Sequence, residues 1–382
     1  MAVGIRKKDE YAWAGWALLF LAASVAILLN GLRSTMPIYR YAALAWVQGQ
    51  RIYELSGIGG FTYFPQAAIL LVPFAVLPAA VGEVAWRLVS IAVFAFAFRE
   101  LSGLLRERAG KDFFPLMTLI AIPMVWDCAR NGQATLLMAA LMLLAVADIA
   151  RNRWWLATLW LCLAVSIKPL AIVLILLVMA IDRVMSWRLA AGLLVTALVP
   201  FLTQHPGYVV EQYRACFQNM TTAAHVGVVA HGWTTPFAAL RVWGLDVPEK
   251  AQTLTRLAAA LGTLGLCFFV RKRYDAARSA VLVYSLAALY LILFSPRTEN
   301  NTYAMLGPVA GYFVANAVLL KKRIAEGALL GVMALVMVSS RIFEQLLAPG
   351  RDRIWLSPLL GSVLAVYVIA RIVSEAHGDR TA

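Results

Sequence analysis

Long apolar runs recur along the chain, separated by short loops rich in lysine and arginine. A spanning helix needs about 20 mostly apolar residues, so this pattern predicts an all-α, polytopic membrane protein. The first run, Ala12–Leu29, follows Arg6, Lys7 and Lys8. It is too long for the apolar region of a signal peptide, and no small-residue cleavage site follows, so it predicts a retained first span. Basic residues collect on the cytoplasmic side of membrane proteins, which places the N-terminus there.

The segment 31–82 is predicted to stay outside. Within it, Gln66–Val81 is apolar but broken by Pro73 and Pro78. Either it is a short span returning inward, or a helix lying in the outer interface. Loop charge favours the interfacial reading. With Glu83–Phe98 as the inward span, Arg99, Arg106, Arg108 and Lys111 fall in the cytoplasm. Further runs from Phe113–Val125 to Trp355–Ile372 alternate outward and inward. The sum is roughly 12 spans in one polytopic domain over residues 1–382, with a long outer loop at 203–250. Both termini are then cytoplasmic, and the location is the inner (plasma) membrane.

Composition agrees with the pattern. Hydrophobic residues make up 62% of the chain and charged residues only 14%, against about 45–50% and about 25% in soluble domains. A net charge of +14 raises nucleic acid as a partner. The cations sit in short loops between apolar runs, however, and no basic stripe forms, so no nucleic-acid partner is predicted. The inner loops hold no glycine-rich phosphate loop. The four cysteines lack CxxC spacing, and His205, His225 and His231 lack metal-ligand spacing, so neither metal nor cofactor is predicted. Cys128 and Cys216 either form a disulfide on the outer side or serve as small apolar residues. No internal repeat of the kind common in secondary transporters is evident.

Polar chemistry is concentrated in the predicted outer segments. Residues 35–66 place Arg40, Arg51 and Glu54 among Tyr39, Tyr41, Trp46, Tyr53, Tyr63 and Phe64. Such a stretch either binds a phosphate and a sugar or is an ordinary aromatic belt at the headgroup level. The turn Trp126–Gln133 brings Asp127 beside Arg130, Asn131 and Gln133. A carboxylate there acts as a general base or pairs with the arginine. Lys168 interrupts an apolar stretch just before Pro169, as a functional cation or a snorkelling one. The loop Ser295–Tyr303 holds Arg297 and Glu299, either as working groups or as an ordinary polar turn.

Several of these stretches, in order, resemble glycosyltransferase family 87, the polyprenyl-phosphate-mannose-dependent mannosyltransferases and their bacterial relatives. They are Tyr39-Arg40-Tyr41-Ala42, Gly49 to Tyr53, Phe61-Thr62-Tyr63-Phe64-Pro65, Asn131-Gly132-Gln133, Lys168-Pro169, and Ser295-Pro296 ahead of Tyr303. The resemblance implies a GT-C-like membrane fold. It also implies a polyprenyl-phosphate sugar donor, a glycan or glycolipid acceptor, and inverting transfer of a mannose-like hexose or pentose at the outer face. The family's catalytic aspartate falls at Thr35, which holds no proton-accepting charge at neutral pH. Asp127, Glu299 and Glu54 are then the candidate bases. Tyr39, Arg40, Tyr63, Arg130, Asn131, Gln133, Lys168 and Arg297 are the candidate substrate-binding residues. The alternative is a non-catalytic binder or transporter of polyprenyl-linked glycans on the same scaffold.

Overall fold

The computed structural model describes residues 2–29, 34–53, 60–224 and 232–378. Among them the chain is all-α. Helix α1 (Ala2–Leu29) is followed by α2 (Met36–Val47), α3 (Pro65–Ala75) and α4 (Ala79–Ala109). Proline in the first turn of α2 and α3 pre-sets the helical φ where no N–H is needed. Helix α5 (Phe114–Asn131) ends at Gly132, whose φ of 64° is a left-handed cap that glycine adopts without strain. Then come α6 (Ala134–Ala150), α7 (Trp154–Ile167), a 3-10 turn at Pro169–Ala171, α8 (Ile172–Ile181) and α9 (Arg183–Leu198). The second half holds α10 (Pro206–Ala224), α11 (Pro236–Val242), α12 (Glu249–Arg273) and α13 (Ala276–Phe294). A 3-10 turn at Asn300–Leu306 leads into α14 (Gly307–Ala315), followed by α15 (Ile324–Val338), α16 (Ser340–Leu347) and α17 (Leu356–Gly378).

The protein is a multi-pass membrane protein, with fewer spans than the roughly twelve expected from apolar runs. Among the described residues, seven helical segments are long and apolar enough to cross a bilayer: Asp9–Leu29, Ala79–Ala109, Arg183–Leu202, Glu249–Arg273, Ala276–Phe294, Asn300–Leu320 and Leu356–Ala376. The pair α15–α16, bent by 82°, makes an eighth if taken as one span. The difference lies in the shorter runs. Helices α3, α7 and α8 have 11, 14 and 10 residues; at about 1.5 Å rise per residue they fall short of the hydrocarbon thickness. Helix α6 has 17 residues, buried from Ala134 to Asp148 against α4, α7 and α13. An apolar run reads alike whether protein or lipid surrounds it.

Helices α6, α13 and α14 lie inside the bundle, whereas α9 and α12 bury little and present their apolar faces outward. Ion pairs draw the basic loops to one end. They link Asp9 to Arg99 (2.8 Å), Glu100 to Arg151 (2.6 Å), Arg108 to Asp275 (2.7 Å), Asp182 to Arg271 (3.4 Å), and Glu375 to both Arg278 (3.6 Å) and Lys321 (3.7 Å). At the other end α2, α3 and the loops after α5, α7 and α13 converge. Helix α3 stays at that end: Arg40 of α2 donates to the Leu77 carbonyl (2.6 Å), at the turn where α4 begins.

Candidate active site

The site is built around the Asn131-Gly132-Gln133 turn between α5 and α6. Three consecutive carbonyls at the end of α5 are capped from outside the helix. Arg87 of α4 donates to the Arg130 carbonyl from Nε (3.1 Å) and Nη2 (2.7 Å). The Thr35 N–H (3.0 Å) and hydroxyl (3.1 Å) meet the Asn131 carbonyl. The Gly132 carbonyl accepts from the Thr35 hydroxyl (2.8 Å) and Trp86 Nε1 (2.7 Å). The Arg87 side chain is fully buried and ion-paired with Glu83, which Ser34 also contacts (2.8 Å). A buried arginine is tolerated only when paired and hydrogen-bonded, and both conditions are met here. The Tyr39 hydroxyl accepts from the Ala134 N–H (3.1 Å), the first residue of α6, and lies 3.2 Å from the Tyr63 hydroxyl.

Two further segments complete the walls. Lys168 caps α7 with an extended backbone, and its Nζ donates to Thr135 Oγ1 (2.7 Å) in the first turn of α6. The loop 295–299 is clamped by Thr234, whose N–H (2.7 Å) and hydroxyl (3.0 Å) reach the Thr298 carbonyl. The Arg297 guanidinium stacks over Trp233 at 4.7 Å. Glu299 heads the following 3-10 turn, its N–H donating to Thr302 Oγ1 (3.3 Å).

These pieces enclose a cavity of about 540 Å³. Its lining combines polar residues, among them Thr35, Tyr39, Tyr63, Gln133, Lys168, Arg297 and Glu299, with the apolar Ile38, Leu170, Ile172, Val173 and Met220. Burial lowers the pKa of the Lys168 amine; the Glu299 carboxylate opposes that shift and the Arg297 guanidinium adds to it. Burial also lowers Arg297, again opposed by Glu299. The N-terminus of α6, with its partial positive charge, lies in the same wall. The arrangement suits an anion held next to a carboxylate.

The other sequence candidates lie elsewhere or have other partners. Asp127 pairs with Arg130 (3.2 Å) and borders a separate crevice of about 20 Å³ beside Asn300, Tyr303 and Ser357. The Asn131 amide donates to Asn301 Oδ1 (3.3 Å), tying the turn to the 295–302 loop. Arg40 is engaged with Leu77, and Arg51 forms an exposed pair with Glu211 (3.2 Å). Glu54, His225 and His231 lie outside the described residues. All four cysteines are buried and free, so Cys128 and Cys216 form no disulfide. Sequence reasoning missed Arg87, Thr135 and Thr234. For Arg87 a signal existed: a Glu83/Arg87 pair at i,i+4 in a long, otherwise apolar helix.

With this geometry in view, comparison with known proteins gives one family. A sequence profile described as glycosyltransferase family 87 matches residues 61–296, more than half of the chain. The matched stretch contains Tyr63, Gln133 and Lys168; Thr35, Tyr39, Arg297 and Glu299 lie outside it. No curated protein and no solved structure matches the chain.

Proposed function

The chain belongs to glycosyltransferase family 87 and is thereby a membrane glycosyltransferase, and we propose that it moves a sugar from a polyprenyl-phosphate donor to a glycan or glycolipid acceptor. The sugar is a mannose-like hexose or a pentose, and the reaction takes place at the outer face of the inner membrane. The observation that carries this reading is the mixed lining of the cavity: Lys168, Arg297 and Glu299 share it with the apolar Leu170, Ile172 and Val173. A lipid-linked sugar phosphate likewise combines an apolar chain, an anion and a polyol.

In this reading the acceptor oxygen attacks the anomeric carbon while its proton passes to the Glu299 carboxylate. The bond from the anomeric carbon to the phosphate oxygen breaks, and its electron pair leaves with the polyprenyl monophosphate. A single displacement inverts the anomeric configuration. The leaving group is already anionic, so cations serve it better than an acid. Lys168, Arg297 and the N-terminus of α6 fill that role. Tyr39, Tyr63 and Gln133 also line the cavity, and this reading assigns them to the sugar. Glu299 is preferred to Asp127 as the base because Asp127 is paired with Arg130 and borders a different crevice.

The test is transfer of radiolabelled sugar from polyprenyl-phosphate donors in membranes containing the protein, with envelope glycans and glycolipids as acceptors. Transfer that disappears in Glu299→Gln supports the reading. Donor binding without turnover to any acceptor would instead favour a non-catalytic binder of lipid-linked glycans.

A further inference from the structure

We propose that Thr35 is the positioning residue of this site: its hydroxyl sets the 131–133 turn, and so the start of α6 against the donor phosphate. The inference rests on the donor reading above. A hydroxyl carries one proton, and that of Thr35 is shared between the carbonyls of Asn131 (3.1 Å) and Gly132 (2.8 Å). The Thr35 N–H adds a third bond to the same turn. Immediately beyond it come Gln133, the Ala134 N–H held by Tyr39, and Thr135 bonded to Lys168. Thr35, which itself borders the cavity, is thus joined to Lys168 through the backbone positions 132–135.

Arg87 acts on the same turn. Its guanidinium takes the Arg130 carbonyl and occupies the space a Cβ at Gly132 would need, with Nη2 at 3.2 Å from that position. The carbonyl end of α5 carries partial negative charge and abuts the positive end of α6. Donors from Arg87, Thr35 and Trp86 neutralise that negative end where it would weaken an anion site.

The geometry also bears on why an aspartate would not serve here. A carboxylate replacing the Thr35 hydroxyl would bring an acceptor-only oxygen to the Asn131 and Gly132 carbonyls, 3.1 and 2.8 Å from the present Oγ1. Three acceptors would face one another with no proton between them.

The experiment compares purified wild type with Thr35→Val, Thr35→Ser and Thr35→Asp. Two readouts are taken: donor KM and kcat for transfer from a polyprenyl-phosphate sugar, and amide hydrogen exchange of a peptide covering residues 128–137. Thr35→Val removes only the hydroxyl donor. It is expected to raise donor KM about tenfold, as for a lost hydrogen bond, with a smaller change in kcat and faster exchange confined to that peptide. Thr35→Ser restores both, and Thr35→Asp loses donor affinity. Wild-type KM and exchange in Thr35→Val would overturn the proposal, and so would an Thr35→Asp enzyme faster than wild type. If the wild type transfers no sugar, the donor reading fails, and the exchange comparison alone decides whether Thr35 fixes the turn.

Discussion

Replacing Lys168 with methionine tests the anion site most directly. Methionine keeps most of the apolar stem and removes the charge. Lys168 Nζ is held 2.7 Å from Thr135 Oγ1, so the amine is already oriented before donor binds. Two unit charges 4 Å apart attract by about 4 kcal/mol at an effective dielectric of about 20. Desolvating the amine takes back part of that. Truncating one member of a buried, hydrogen-bonded charge pair costs about 2–5 kcal/mol across an interface. Arg297 remains in the same cavity, which argues for the low end, about 2–3 kcal/mol, or roughly 30- to 160-fold in donor KM. The pH dependence supplies an internal check. Burial lowers the Lys168 pKa in the free site, and a bound phosphate favours the charged amine. Donor binding therefore takes up a proton above the free-site pKa. Affinity is full below that pKa and falls as pH rises through it, at a lower pH than for an exposed lysine. Arginine stays charged throughout, so Lys168→Met should flatten this limb of the profile. The assay is donor KM across pH in membranes or detergent. A Lys168→Met enzyme with donor KM within threefold of wild type, or with the alkaline limb intact, would refute the phosphate assignment.

Three more predictions follow from the same geometry. Glu299→Gln should lower kcat by about 10²–10⁴-fold, the usual contribution of a general base, with donor KM little changed in steady-state transfer assays. Asp127→Asn breaks a half-exposed pair with Arg130, a kind of contact worth about 0–1 kcal/mol; transfer within fivefold of wild type is expected, and complete loss would return Asp127 to the role of base. Gly132→Ala forces a left-handed φ of 64° on alanine and presses its Cβ to 3.2 Å from Arg87 Nη2. The left-handed conformation alone costs about 1–2 kcal/mol, so a lower thermal midpoint is expected, together with a raised donor KM.

Which loops share an end of the bundle was legible because charge carries it. The loops ending at Arg99, Arg151, Asp182, Arg271, Lys321 and Glu375 are the ones the ion pairs gather at one end. The number of spans was not legible, because hydropathy measures only that a run avoids water. Helix α6 satisfies that condition inside the protein and α12 satisfies it outside, and their sequences do not say which. The site divided in the same way. Lys168 stood out because an unpaired cation is costly in an apolar run, and it does line the cavity. The sequence put Asp127 ahead of Glu299 as the base, although each is a carboxylate beside an arginine at a helix end. What separates them is tertiary. The Asn131–Asn301 amide contact joins the two segments, yet Glu299 lines the large cavity and Asp127 the small crevice. Thr35 read as a missing carboxylate because a sequence position shows the residue and not its partners. Its partners are two backbone carbonyls, and a group that must donate to carbonyls calls for a hydroxyl where a proton acceptor would be repelled.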